Sequence, residues 1–209
     1  MRKPLDETLA AFVPVTAVEH VAKLLQTHRI QLRVARTRLT KLGDFRPGKQ
    51  GSAHQISVNQ GLNVFEFLLV FLHELAHLKV HEETAPPRLP HGLEWRRHYG
   101  ELIRDFVAGG HFHPSLEEVL IQYSYQVSAS GVGNMELAKL LRAFDRAPLD
   151  RPWLFLDEVA QQGVFQTPSG RLFRKEEKLR KRYRCLCLKS RRSYLVHAMA
   201  RVEEVVGSR

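Results

Sequence analysis

Apolar residues recur with two different periods along this chain, and the change of period divides it. From Ala17 to His28 (AVEHVAKLLQTH), Val18, Val21, Leu24 and Leu25 fall at helical spacing and predict an amphipathic helix. IQLRVARTRL then alternates, with Ile30, Leu32 and Val34 on one side, as a half-buried strand does. GDFRPGKQG is rich in glycine and proline and reads as a turn. AHQISVN reads as a second strand, alternating Ile56 and Val58 with Gln55, Ser57 and Asn59. Asn63 is a good N-cap with Glu66 three residues on, so it opens a helix over 64–81. Phe65, Leu68, Leu69, Phe71, Leu72, Leu75 and Leu78 make that helix apolar on most sides, which places it inside the molecule.

TAPPRLPHG follows as a rigid loop, because proline fixes the backbone and removes donors. Trp95, Tyr99, Leu102, Ile103 and Phe106 then predict a helix running from Leu93 to Gly109-Gly110, with two more at 115–127 and 135–146. After Pro148 the helical spacing gives way to short alternating stretches, among them YRCLCL and SYLVHAMA, two strands joined at 189–192. The pattern predicts an α+β chain. A largely helical domain with a small sheet occupies 1–148, and a small β-rich module occupies 155–207.

At 209 residues the chain can bury one good-sized core with a small second domain attached. Its 44% hydrophobic and 26% charged residues are those of a globular protein and exclude a disordered one. The net charge of +10 favours a polyanionic partner, nucleic acid before an acidic membrane surface. Nearly all of that excess sits in RLFRKEEKLRKRYRCLCLKSRR, residues 171–192. Arg174, Lys175, Lys178, Arg180, Lys181, Arg182, Arg184, Arg191 and Arg192 are therefore the candidate nucleic-acid contacts. Phe173, Tyr183 and Tyr194 are interleaved with them, an arrangement suited to single-stranded or distorted DNA. A solvated basic hairpin, or a surface for an acidic protein, would have the same composition. Cys185 and Cys187 make no disulfide framework and point to a reducing compartment. Asp6 and Glu7 interrupt MRKPLDETLAAFVPV, which excludes a signal peptide, and the run from Phe67 to Leu72 is too short to span a bilayer. The expected location is cytoplasmic, with nucleoid association if the protein is bacterial.

Residues 71–81, FLHELAHLKVH, carry the clearest chemistry. His73 and His77 stand four apart, one above the other on a helix face, so both can aim at one ion. Zinc takes imidazole nitrogens at about 2.0–2.1 Å. Glu74 is rotated by about 100° from His73, beside the ion, where it can take a proton from water. His81 continues the series, but three histidines along a straight helix spread over about 12 Å, too far for one ion. It reads as a helix-end residue near the last carbonyls. Val80 and Glu83 stand where a metzincin needs Gly and His, which excludes that class. The third ligand is to be sought in HGLEWRRHYGEL, where His91, Glu94, His98 and Glu101 form a polar stripe. Spacing alone leaves His91 and Glu94 of equal merit.

HELAH, thirteen residues, then H-G-x-E-W resembles the SprT-like metalloprotease family, which includes the eukaryotic Spartan proteases. The resemblance extends over about the first 110 residues and implies a zincin-like catalytic domain with one catalytic Zn2+. By it His73, His77 and His91 are the ligands, Glu74 the general base, and Glu94 a supporting residue. It also implies that the AHQISVN strand borders the cleft and pairs with an extended protein substrate, and it points to DNA-bound or DNA-crosslinked proteins. Family members often end in a zinc ribbon with two cysteine pairs. Here only Cys185 and Cys187 are present, so the β-rich module resembles a degenerate ribbon without its metal, the remaining donor set being Cys185, Cys187 and His197. Two alternatives are a zincin peptidase for a substrate unrelated to DNA and a non-enzymatic nucleic-acid-binding protein with structural zinc.

Overall fold

Asn63 caps the helix around which the first unit is built. Its Oδ1 accepts from the Phe65 and Glu66 N–H groups at 3.1 and 2.9 Å. Its amide nitrogen donates to the Leu141 carbonyl and to Asp145, tying that helix start to a second helix end. The computed structural model describes residues 8–36, 38, 41–49, 51–83, 89–127, 134–145 and 153–205. The start of the proline loop (84–88), the first seven residues and the end of the helix expected over 135–146 lie outside these.

The chain divides into two compact units, Met1–Arg146 and Ala147–Arg209. Among the described residues the first unit has the complete α-helices α1 (Val18–Thr27), α2 (Val64–Glu83), α3 (Leu93–Ala108), α4 (Pro114–Tyr125) and α5 (Met135–Arg142). With them goes a three-stranded sheet of β1 (Ile30–Ala35), β2 (Gly43–Arg46) and β3 (His54–Asn59), in the order β1-β3-β2. These helices, with two separate sheets, make the protein α+β. Helix α2 is buried on nearly every side, packing on α3 and on strands β2 and β3, because leucines and phenylalanines at all angles leave it no solvent face.

Two sequence readings change here. GDFR is not a turn but the strand β2, antiparallel to β3 with Phe45 opposite Ile56. The glycine and proline of the segment lie at its ends, and alternation over four residues is too short to recognise. Strand β3, expected to border a cleft, is central: β1 pairs with it in parallel on one side and β2 on the other. It has no free edge, and the edges belong to β1 and β2.

The second unit is an antiparallel sheet in the order β4-β9-β5-β6-β7-β8. Its strands are β4 (Leu154–Phe155), β5 (Val164–Gln166), β6 (Leu172–Leu179), β7 (Arg182–Cys187), β8 (Ser193–His197) and β9 (Arg201–Glu204). Phe155, Leu156, Phe165, Phe173, Tyr183, Cys185, Cys187 and Val202 fill its core. No helix among the described residues is long and apolar enough to cross a membrane.

Candidate metal centre

Helix α2 presents His73 and His77 on one face, and the turn before α3 brings His91 to them. One ligand nitrogen from each lies within 4.8 Å of the other two, and His73 Nε2 and His91 Nε2 are 3.2 Å apart. Two nitrogens bound tetrahedrally at zinc distances would stand about 3.3 Å apart, so the spacing suits one small ion. Burial pushes His73 down to about 3 and His77 to about 4, helped by repulsion among the three rings. Burial lowers His91 as well, with Arg96 adding to it. All three are neutral imidazoles at neutral pH, the form that offers a lone pair to a metal. The three histidines can hold a metal ion. The second nitrogen of His73, Nδ1, is buried with no hydrogen-bond partner among the described residues, a departure from metal-site histidines that donate through it.

Trp95 supplies the wall of this cluster. Its ring lies 4.6, 5.5 and 4.5 Å from those of His73, His77 and His91, and its indole N–H donates to the His73 carbonyl at 3.3 Å. Tyr99, one turn on, stacks beneath it and donates to the Leu69 carbonyl. Helical spacing identified both as core residues and missed that their core is the site. Glu94 stays outside the cluster: it is exposed, with its carboxylate turned back near Gly92. His98, on the same polar stripe, is only 4% exposed; its Nε2 lies 2.8 Å from Glu83 at the end of α2. Arg97 joins the same carboxylate at 2.9 Å, so α2 and α3 are clasped just beyond the ligands. Glu101 and Asp105 are exposed, as a solvated face requires. His81 faces Phe45 and His54, with ring centroids 6.0 and 5.8 Å away, and takes no part in the cluster.

Glu74 is 7% exposed, and its carboxylate leans on β2. The Phe45 N–H donates to it, and burial, with Asp44 adding repulsion, pushes its pKa up to about 8. The Asn59 N–H donates to the Leu42 carbonyl, so alternation turns the backbone groups of Gly43 and Phe45 away from β3, toward the outer edge. A Cβ on Gly43 would approach Glu74 Cγ and Val70 Cγ1 to 2.8 Å. Only glycine leaves room for the carboxylate there.

The basic residues of the second unit separate into three kinds. Lys175 is 3% exposed; its ammonium donates to the Asp157 and Val159 carbonyls and lies 4.1 Å from the Tyr183 ring centre, so it cannot reach a nucleic acid. Lys178 pairs with Asp157 at 2.7 Å, Arg184 with Glu177 and the half-buried Arg174 with Glu176. Arg180, Lys181 and Arg182 at the β6–β7 turn, and Arg191 and Arg192 at the β7–β8 turn, are exposed. The interleaved aromatics do not form a stacking platform. Phe173 and Tyr183 are buried, and the Arg171 guanidinium covers the Tyr194 ring at 4.6 Å. Both cysteines are unpaired and buried while His197 is exposed, so those three donors do not assemble. Among the described residues the only three-donor group is that of His73, His77 and His91.

No family model, curated protein or solved structure matches this chain significantly.

Proposed function

We propose that this protein is a zinc-dependent peptidase of SprT-like type, acting on protein substrates bound or crosslinked to DNA. The observation that carries the reading is the convergence of His73, His77 and His91 beside a buried Glu74 on the same helix. A divalent ion held by the three imidazoles would polarise a peptide carbonyl and lower the pKa of water. Glu74 takes a proton from the attacking water and returns it to the leaving amine. The outer edge of β2, beside Glu74, is where an extended peptide would add as a strand, the role first expected of β3.

The exposed cations at the two hairpin turns supply phosphate contacts without base readout. The burial of Phe173, Tyr183 and Lys175 favours a second reading, a peptidase whose substrate is unrelated to DNA. Degradation of a DNA-bound protein, with and without DNA, by wild type and Glu74→Gln decides between them. Turnover by wild type alone, raised by DNA, supports the first reading. Turnover indifferent to DNA supports the second, and equal turnover by both proteins rejects the peptidase.

A further inference from the structure

His81 continues the series of His73 and His77 along α2 but stands outside the metal cluster. Its ring, in the last turn of the helix, lies 6.0 Å from that of Phe45 on β2 and 5.8 Å from that of His54 on β3. Phe45 and His54 are in turn 6.0 Å apart. Register explains why the three meet. Phe45 pairs with Ile56, and His54, two residues before Ile56, faces the same side of the sheet. Ile56 is wholly buried, whereas Phe45, His54 and His81 are each half-buried. The apolar floor under α2 thus runs on, near the helix end, into a partly open patch of three rings.

Charge at this patch is already spoken for. His54 Nδ1 accepts from the Gly48 N–H at 3.1 Å, so that imidazole carries its one proton on Nε2 and is neutral. Glu82, next to His81, is held by His28 at 3.0 Å, and the Arg29 guanidinium donates to the Gly51 carbonyl at 2.7 Å. Asp44 and Arg46, which alternate with Phe45 along β2, pair with each other at 2.8 Å.

The patch lies one step from Glu74 along two elements at once. On β2, Gly43 faces Glu74, since a Cβ there would come within 2.8 Å of Glu74 Cγ. Phe45 is two residues on, about 7 Å farther along the same side of the strand. On α2, His81 follows His77 by one turn, about 6 Å. An extended peptide added to the outer edge of β2 turns every second side chain toward α2. The one set opposite Gly43 comes beside Glu74, and the one set opposite Phe45 comes against the rings.

We infer that Phe45, His54 and His81 form a specificity subsite for an aromatic side chain of the substrate, two residues from the one level with Glu74. This rests on the peptidase reading and names the substrate it prefers. An aromatic side chain packs on half-open rings edge-to-face or offset. A charged one gains no such contact, and the charges of Glu82 and Arg29 already have partners.

Cleavage of a degenerate peptide mixture by the zinc-loaded full chain, read by mass spectrometry, tests this. Phe, Tyr and Trp should be enriched about tenfold at one position within three residues of the cut bond. His81→Arg should move the preference at that position to Asp and Glu and leave the other positions as they were. No aromatic preference in wild type, or one that His81→Arg leaves intact, overturns the subsite. Binding supplies a readout without turnover. In Glu74→Gln, calorimetry should find the preferred peptide about tenfold tighter with Phe than with Ser at that position, and the two equal once His81→Arg is added. The Phe peptide should also shift the His54 and His81 ring-proton resonances of Glu74→Gln, and the Ser peptide should not. Unmoved resonances overturn the subsite even where His81→Arg fails to fold. Cleavage without aromatic preference removes the subsite and leaves the peptidase standing, whereas a chain that cuts nothing in the mixture removes both.

Discussion

Replacing Gly43 by Ala adds one methyl group to β2 and tests whether the strand positions Glu74. The new Cβ would sit 2.8 Å from Glu74 Cγ and 2.8 Å from Val70 Cγ1, and closer still to Glu74 Oε1. Ordinary contact begins at 3.4 Å, so two carbons must each retreat by about 0.6 Å. The Oε1 end can swing aside, but Val70 is buried within α2 and β2 is bonded to β3, so neither retreats freely. Overpacking of this kind costs about 1–3 kcal/mol, which for a chain of this size lowers Tm by several degrees. On the peptidase reading the larger effect falls on chemistry, because displacing a catalytic group by about 1 Å can cost about 10²-fold in rate. The ligands are untouched, so zinc content should stay at one equivalent while kcat against an unfolded protein substrate falls by about that factor. Gly43→Ala with wild-type kcat and a lowered Tm would refute the reasoning, since β2 would then be packing against a carboxylate that does no work.

Replacing His91 by Ala should abolish tight zinc binding in equilibrium dialysis, whereas Glu94→Ala should retain it; the reverse pattern would move the third ligand one turn along α3. Changing Arg180, Lys181 and Arg182 together to Ala should reduce the slope of log K against log salt for single-stranded DNA by up to about 2, at about 0.7 per phosphate contact. Lys175→Met should leave that slope alone, and an equal loss in both variants would mean that the folded sheet, not the free cations, is being read. Hydrogen bonds from Lys178 and then Tyr183 hold the Asp157 carboxyl below its ordinary value, despite some opposing burial. A depressed carboxyl stabilises above its unfolded pKa of about 4 and loses that contribution as pH falls toward the folded value. Hydrogen exchange of the β7 amides should therefore be faster in Asp157→Asn than in wild type at pH 6 and converge with it as pH falls past the depressed folded value; a gap that persists in acid would contradict the assignment.

Helices were the legible part of this sequence. Most carry an apolar pattern long enough to declare its period, and Asn63 marks the start of α2, whose apolar residues lie at all angles, with a side chain that caps it. The strand that touches Glu74 was not legible. Four residues, one of them a glycine kept small by a carboxylate from another element, carry no periodic information. The reason for Gly43 lies on α2, about thirty positions away. For the same reason β3 was given an edge that its two neighbours occupy, since pairing partners are not written in a strand's own alternation. His98 repeats the lesson on a helix: its place in the polar stripe does not tell its role, and only Glu83 reaching across from α2 makes it a buried clasp.

The basic segment marks where counting fails and geometry takes over. Composition treats eleven cations between Arg171 and Arg192 as equivalent. Folding sorts them by what stands opposite each in the sheet or beneath it. Lys175 points inward, where two backbone carbonyls and the Tyr183 ring replace its water. Glu176 and Glu177, which subtract only two charges from the total, sit beside Arg174 and Arg184 and occupy both. The charge left for a partner is concentrated at two turns and faces no aromatic surface of its own. Such a surface can hold a phosphate backbone in a salt-dependent way but has little with which to read bases. If this module delivers the protein to DNA, selectivity for a substrate must come from the other unit. There the outer edge of β2 and the His73, His77 and His91 cluster meet at Glu74.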